Sequence, residues 1–540
     1  MTETPRVPDP DKSPEPERTV DDVAPGAIDS AAPPWQATNS DPTAAGDAPW
    51  PAPLEGPTLP APAVAEGPRP LSRLVTVLAV LVLLPALVFM AWPGSIASRI
   101  ESIADPERAL ERIVGRTMDL RDAVTHAAGW RRWLSVALGL EDPEDIEQSL
   151  RWYEELAAVS VDPRVDLHLA ILEAETGRVG EAKRRLDEWR AREEPFSTFA
   201  RVLEAAYVES GATARADSLR EWLDKGWFED RLEIALARGS GRDGDARRAE
   251  VRLAARGRSV MTRLELLGMT TLIVGVVGFV AGIVVLRRLG RDPSALAAGT
   301  ALIPPPWPGG RGAAVLLRGG ALSLGVLLSF VLLIGGLGAW GVVGDVGTAL
   351  LDVPTGLIIL LPTLVLAHRH LFRPSGLSIV DAVGLRIRHG RGRRIVLATV
   401  VVVGIVSAGD VALGIVANAL GASGHWTEWF DSDLVFGGSA GVARSLSGAV
   451  IAAAVSEEIL FRGLLFATLR RRLGWVLAGL VSALAFAALH GYATHGFTSV
   501  ALSGLVWAWS YERTRSLWPA LIGHAFGNFM ASTLLLAALR

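Results

Sequence analysis

Nine apolar stretches punctuate the chain, at roughly 72–92, 264–286, 319–342, 347–367, 395–420, 444–469, 473–490, 496–511 and 516–538. Measured against the ~20 residues a helix needs to cross a bilayer core, they predict nine membrane helices. The third and fourth runs lie close together and the eighth is short, so eight or ten spans fit the same pattern. Between the first and second runs the pattern changes. Residues 94–262 interleave apolar clusters such as Leu169-Ala170-Ile171-Leu172 and Leu186–Trp189 with charged faces, which predicts a soluble, wholly helical segment. Residues 1–70 are rich in Pro, Ala, Asp and Glu and carry no apolar period, so they read as a disordered tail without a cleavable signal peptide.

Leu172 to Ala182, centred on Gly177, recurs loosely as Tyr207 to Ala216, centred on Gly211, a spacing similar to the tetratricopeptide period. Two uses fit such a segment: a groove for a protein partner, or a small bundle that only links two spans. The expected architecture is therefore all-α: a polytopic membrane helical bundle with an inserted soluble helical domain, tetratricopeptide-like in its repeat, and a disordered tail. Its divisions are 1–70 tail, 71–93 transmembrane anchor, 94–262 soluble domain and 263–540 membrane core.

Arginines sort the loops. They crowd 287–318, 368–394, 470–472 and 513–515, whereas the intervening loops are poor in base and hold Asp345, Glu428, Asp431 and Asp433. With alternating spans all basic loops fall on one side, which predicts a cytoplasmic amino terminus and an extracytoplasmic 94–262. Composition agrees with a membrane chain: of 540 residues, 50% are hydrophobic and 20% charged, with a net charge of −4 and no cysteine. Disulfides, thiolate metal sites and a cysteine nucleophile are thereby excluded.

Polar side chains inside hydrocarbon are expensive and so informative. Glu457-Glu458-x-x-x-Arg462 lies in the sixth apolar run, Phe486-x-x-x-His490 ends the seventh, and His524-x-x-x-Asn528 lies in the ninth. On a helix Glu458 and Arg462 are one turn apart and form a charge pair. Glu457 points about 100° away and keeps no local cation, which suits a general base. His524 and Asn528 share a face and can offer a ring N–H and an amide N–H to one point, as an oxyanion requires. Helix-packing glue is the bland account of each residue alone, but it demands that four polar groups gather on three spans by accident. Depth disagrees with a simple site. At ~1.5 Å per residue Glu457 lies about 20 Å from the Arg470 turn, His490 about 26 Å from the same side, and His524 about 12 Å from Ser516. A tilt or a short seventh helix is needed to bring them together. Asp410, in the fifth run, pairs with a buried Arg, lines a cavity or packs against a hydroxyl; Trp426, Trp429 and Phe430 sit where interfacial anchors are expected.

In this order the three motifs resemble those of the CPBP family, the CAAX prenyl protease type 2 and bacteriocin-processing intramembrane endopeptidases. Tyr511 to His524 resembles the family's lead-in to its last motif. The likeness covers roughly 395–540, with the motifs in 444–540, and leaves out the tail and 94–262. It implies a glutamate-dependent peptidase in which Glu457 and His490 activate water, His524 and Asn528 form the oxyanion hole, and Glu458 and Arg462 support the site. Eukaryotic members trim prenylated carboxyl termini; for this chain a membrane peptide or protein is the implied substrate. Expected surroundings are the lipid bilayer, in a bacterial plasma membrane, and a protein partner for the soluble domain, with no cofactor, metal or nucleic acid. Two rivals stand: a metal-dependent peptidase using the same Glu and His set, which lacks any paired-His helix motif, and a non-catalytic scaffold.

Overall fold

A computed structural model describes residues 71–91, 95–140, 144–208, 216–339, 345–422 and 424–540. The expected tail lies outside them, as does Gly211 of the second repeat. Among the described residues the chain is helical and contains no strand, only an isolated bridge between Gly299 and Ile387.

The chain enters through α1 (Arg73–Ala91) and passes into eight helices: α2 (Ile96–Glu101), α3 (Pro106–Thr125), α4 (Gly129–Ala137), α5 (Asp145–Ala157), α6 (Pro163–Glu175), α7 (Val179–Trp189), α8 (Phe196–Tyr207) and α9 (Trp227–Gly239). Neighbours from α5 onward stack as hairpins over a shared apolar core that includes Tyr153, Ile171, Trp189, Phe199 and Phe228. Gly177 makes the α6–α7 turn with φ +87°, a backbone region that costs glycine little. Next comes α10 (Asp243–Arg291), whose 49 residues give a rod about 74 Å long. Its first half packs against α3 and α9, and its second half is a membrane helix, so residue 262 lies within a continuous helix.

The membrane core continues through α11 (Gly309–Ala339), α12 (Asp345–Ala367), the short α13 (Ile379–Ala382), α14 (Gly392–Ala419) and the four-residue α15 (Ser432–Val435). A single bent helix follows, made of α16 (Ser439–Ser447), α17 (Ala454–Glu458) and α18 (Ala467–Leu469), joined by π-helical turns at Gly448–Ala453 and Ile459–Phe466. The chain closes with α19 (Trp475–Ala488), α20 (Thr494–Thr514) and α21 (Trp518–Leu539). Each of the nine apolar runs is thus helical where described. Among the described residues five helices are long and apolar enough to span by themselves: α10, α11, the second half of α12 with its extension, α14 and α21. The α1 run and α19 are shorter apolar helices. Gly278 of α10 and Gly404 of α14 let those two backbones touch: a Cβ on either would come within 2.2 Å of the other's Cα.

The two ends of the bundle differ in charge. At one end the Arg-rich loops interlock: Arg394 donates to the Ala297 carbonyl, Arg470 pairs with Glu512 at 2.9 Å, and the Leu517 amide donates to Gly384. At the other end the acidic 424–437 loop meets helices α2 to α9. His425 Nε2 lies 3.0 Å from Glu155, and Trp426 is fully buried in the apolar core shared with α5 to α9, together with Leu434 and Leu535. That corrects the expectation of Trp426 as an interfacial anchor; Trp429 remains exposed. Asp410 takes the hydroxyl reading, accepting from Ser499 at 2.5 Å.

Candidate active site

The Glu457-Glu458 pair sits on the one α-helical turn between the two π-helical turns. Such bulges are rare and concentrate where a helix must re-aim side chains. Glu458 and Arg462 are both fully buried, and Arg462 Nη1 donates to Glu458 Oε1 at 2.6 Å. The charge pair read from the spacing is therefore formed. The guanidinium lies among rings, 4.6 Å from the Phe486 centroid and 4.9 Å from that of Trp507. Its Nε and Nη2 lack hydrogen-bond acceptors, and cation–π attraction offsets part of that cost. Gly504 makes the room, since a Cβ there would stand 3.0 Å from Nη2.

His524, also buried, turns one nitrogen to each carboxylate. Its Nδ1 is 3.0 Å from Glu458 Oε1, and its Nε2 is 3.6 Å from Glu457 Oε2. The ring is stacked on Trp507 at 4.4 Å with an interplanar angle of 14°, and its edge meets Phe486. An ionised carboxylate only accepts, so Nδ1 carries the hydrogen and Nε2 is left toward Glu457. Glu457 is the more open carboxylate, with its side chain 30% exposed, yet its Oε2 is buried and has no hydrogen-bond partner. A buried acceptor left unpaired calls for an explanation, and a reacting group is one.

His490 reaches the same site from the turn after α19. Its Nδ1 is bound to the Phe486 carbonyl at 2.9 Å, its ring contacts Phe486 at 4.7 Å, and it lies within electrostatic reach of Glu457. Asn528 is one turn beyond His524, but its amide donates to the Ala449 carbonyl at 2.7 Å. Nδ1 of His524 and one N–H of Asn528 thus already have protein partners, leaving Nε2 and the second amide hydrogen for any reacting oxygen.

The conflict in depth resolves through two features. α19 has only 14 residues, so His490 falls just past a short helix. The turn before α21 is itself submerged: Ser516 and Leu517 are fully buried beneath Gly384 and the 298–301 segment, so distances counted from Ser516 start inside the protein.

Three partners escaped the sequence reading. Arg99, on α2 of the soluble segment, binds Glu428 at 2.9 Å and the Gly491 carbonyl at 3.0 Å, and Glu428 in turn accepts from the Ala493 amide at 3.0 Å. These contacts clamp the turn that carries His490. Tyr492 stands beside that histidine, with ring centroids 5.4 Å apart. Separations of 329 and 392 residues leave no periodic signal for such contacts.

The place beside Glu458 that a cation would take is held by Arg462, and among the described residues no group of three or more His, Cys, Asp or Glu is spaced to hold a metal ion. No curated protein and no solved structure matches the chain. Residues 440–530, from α16 into α21 and including every motif residue above, match the family described as type II CAAX prenyl endopeptidase, Rce1-like. Over these residues the chain is similar to the CAAX prenyl protease family, and its described residues are helical and include helices long and apolar enough for an integral membrane protein.

Proposed function

We propose that the chain is an intramembrane endopeptidase that hydrolyses a peptide bond of a membrane-associated protein or peptide. Glu457 takes a proton from water as the oxygen attacks the carbonyl carbon, with His490 helping to orient that water. The carbonyl π electrons move to oxygen, and that oxyanion is received by His524 Nε2–H and the free amide hydrogen of Asn528. Collapse breaks the C–N bond, and the Glu457 proton passes to the leaving amine. Donation from Nε2 requires a hydrogen on each ring nitrogen, with Nδ1–H turned to Glu458 Oε1 at 3.0 Å. Glu458 and Arg462 hold this histidine rather than react.

One observation carries the reading: an unpaired, buried Glu457 oxygen faces His524 beside a charge pair that neutralises its neighbour. A scaffold would gain nothing from that arrangement, whose burial costs several kcal/mol per ion before pairing. The substrate reaches the site within a bacterial plasma membrane in this account, and the soluble helices face the extracytoplasmic side, where they are placed to engage a protein partner. The test compares membrane-protein termini in cells carrying the native chain with those in cells carrying Glu457→Gln. Termini that vanish with the substitution identify the substrate; identical sets at equal protein levels would refute the activity.

A further inference from the structure

Helix α4 differs from the other helices of the soluble segment in the face it shows. Trp130 is 69% exposed, Trp133 72% and Val136 53%, on a helix of only nine residues. Two adjacent exposed tryptophans on a soluble surface are costly, because each leaves a large apolar area in water.

The opposite face is fixed to α10. Arg131 donates to Glu265 at 2.5 Å and to Thr262 at 3.0 Å, and the Ser135 hydroxyl donates to Glu265 at 3.2 Å. Just beyond α4, Leu138 packs where a Cβ on Gly268 would stand, 3.0 Å away. Positions 131, 135 and 138 follow the helical period, so 130, 133 and 136 point away from α10 by geometry. Glu265 is the last acidic residue of α10, and from Leu266 to Leu286 its exposed side chains are apolar apart from Thr270, including Leu272 and Ile273. The docking site of α4 is therefore at the level where α10 enters hydrocarbon.

We infer that α4 is an interfacial anchor: it lies along the bilayer surface with Trp130, Trp133 and Val136 inserted among the lipid headgroups and upper acyl chains, continuous with the lipid-facing side of α10. Indole suits this zone because its body is apolar and its N–H remains hydrated. The anchor fixes the height and tilt of the soluble helices over the membrane core. It rests on α4 and α10 alone, so it stands or falls independently of the proteolytic reading.

The chain has no cysteine, which makes single-site labelling direct. Trp133→Cys would be introduced into the full-length chain and labelled with a nitroxide. The protein is then placed in nanodiscs of phosphatidylcholine and phosphatidylglycerol, and collision rates with oxygen and with a water-soluble nickel chelate are compared. Val161→Cys, at a fully exposed soluble position, and Ile273→Cys, on the lipid face of α10, set the two limits. Position 133 should show an oxygen-to-nickel ratio several-fold above that of 161 and approaching that of 273. Should Trp133→Cys fail to fold, Val136→Cys makes the same measurement. A ratio equal to that of 161 would overturn the anchor and assign these tryptophans to a protein partner.

Discussion

Oε1 of Glu458 lies 2.6 Å from Nη1 of Arg462, with neither side chain exposed at all. The same oxygen faces His524 Nδ1, so one atom ties the charge pair to the histidine that confronts Glu457. Removing the cation leaves an uncompensated buried carboxylate. Arg462→Ala should therefore lower stability by roughly 3–5 kcal/mol, read as thermal or denaturant unfolding in detergent. Arg462→Lys should recover only part of this, because an ammonium cannot lie flat among Phe486 and Trp507 while reaching Glu458. An Ala variant as stable as the native chain would show that the pair is not formed.

The clamp from Arg99 to the Gly491 carbonyl and Glu428 reaches the turn of His490 from the soluble helices. Arg99→Ala frees that turn, and kcat on a cleaved peptide should fall about 10- to 100-fold with KM little changed, since small misplacements of a reacting group are costly. Arg99→Lys should restore part of kcat through Glu428. Unaltered kcat in the Ala variant would make the contact merely structural.

Within the soluble helices, burial and the neighbouring Asp224 push Glu111 up from 4.5 to about 7, while burial holds His168, 3.6 Å away, down at about 3. A carboxyl raised in the folded state contributes stability fully below pH 4.5 and loses it as pH rises through about 7. Glu111→Gln removes that loss. Its stability relative to the native chain should rise by on the order of 3 kcal/mol between pH 4.5 and 8 and then level off. The His168 contribution falls away as pH drops and is common to both proteins, so the difference isolates Glu111. A pH-independent difference would mean that Glu111 titrates alike in the folded and unfolded chain.

Separation of the Arg-rich loops from the acidic loops and the soluble helices predicts opposite labelling of the two ends. In intact cells an impermeant thiol reagent should modify Val161→Cys and spare His389→Cys until lysis. The reverse pattern would invert the orientation.

Much of this was legible in the sequence because hydrophobic runs and within-helix spacing are local. The Glu458–Arg462 pair follows from a period that one window displays, whereas the gathering of the three motif segments was implied by their resemblance to a known family. What escaped is nonlocal. Burial of Trp426 depends on helices hundreds of residues earlier, and its composition alone fits a lipid interface equally well. The sunken Ser516-Leu517 turn looks like any Arg-flanked loop until the 298–301 and 384 segments cover it. The partner of Asn528 is the backbone carbonyl of Ala449, which no side-chain pattern encodes.

The most direct test of the catalytic assignment is turnover of a cleaved membrane peptide by purified protein in nanodiscs. Glu457→Gln keeps the shape and removes the base, so the rate should fall by a factor on the order of 10² to 10⁴ with folding intact, while Asn528→Ala, lacking one oxyanion donor, should fall by on the order of 10² to 10³. Near-native turnover by Glu457→Gln would contradict the account and return the membrane core to the role of a scaffold.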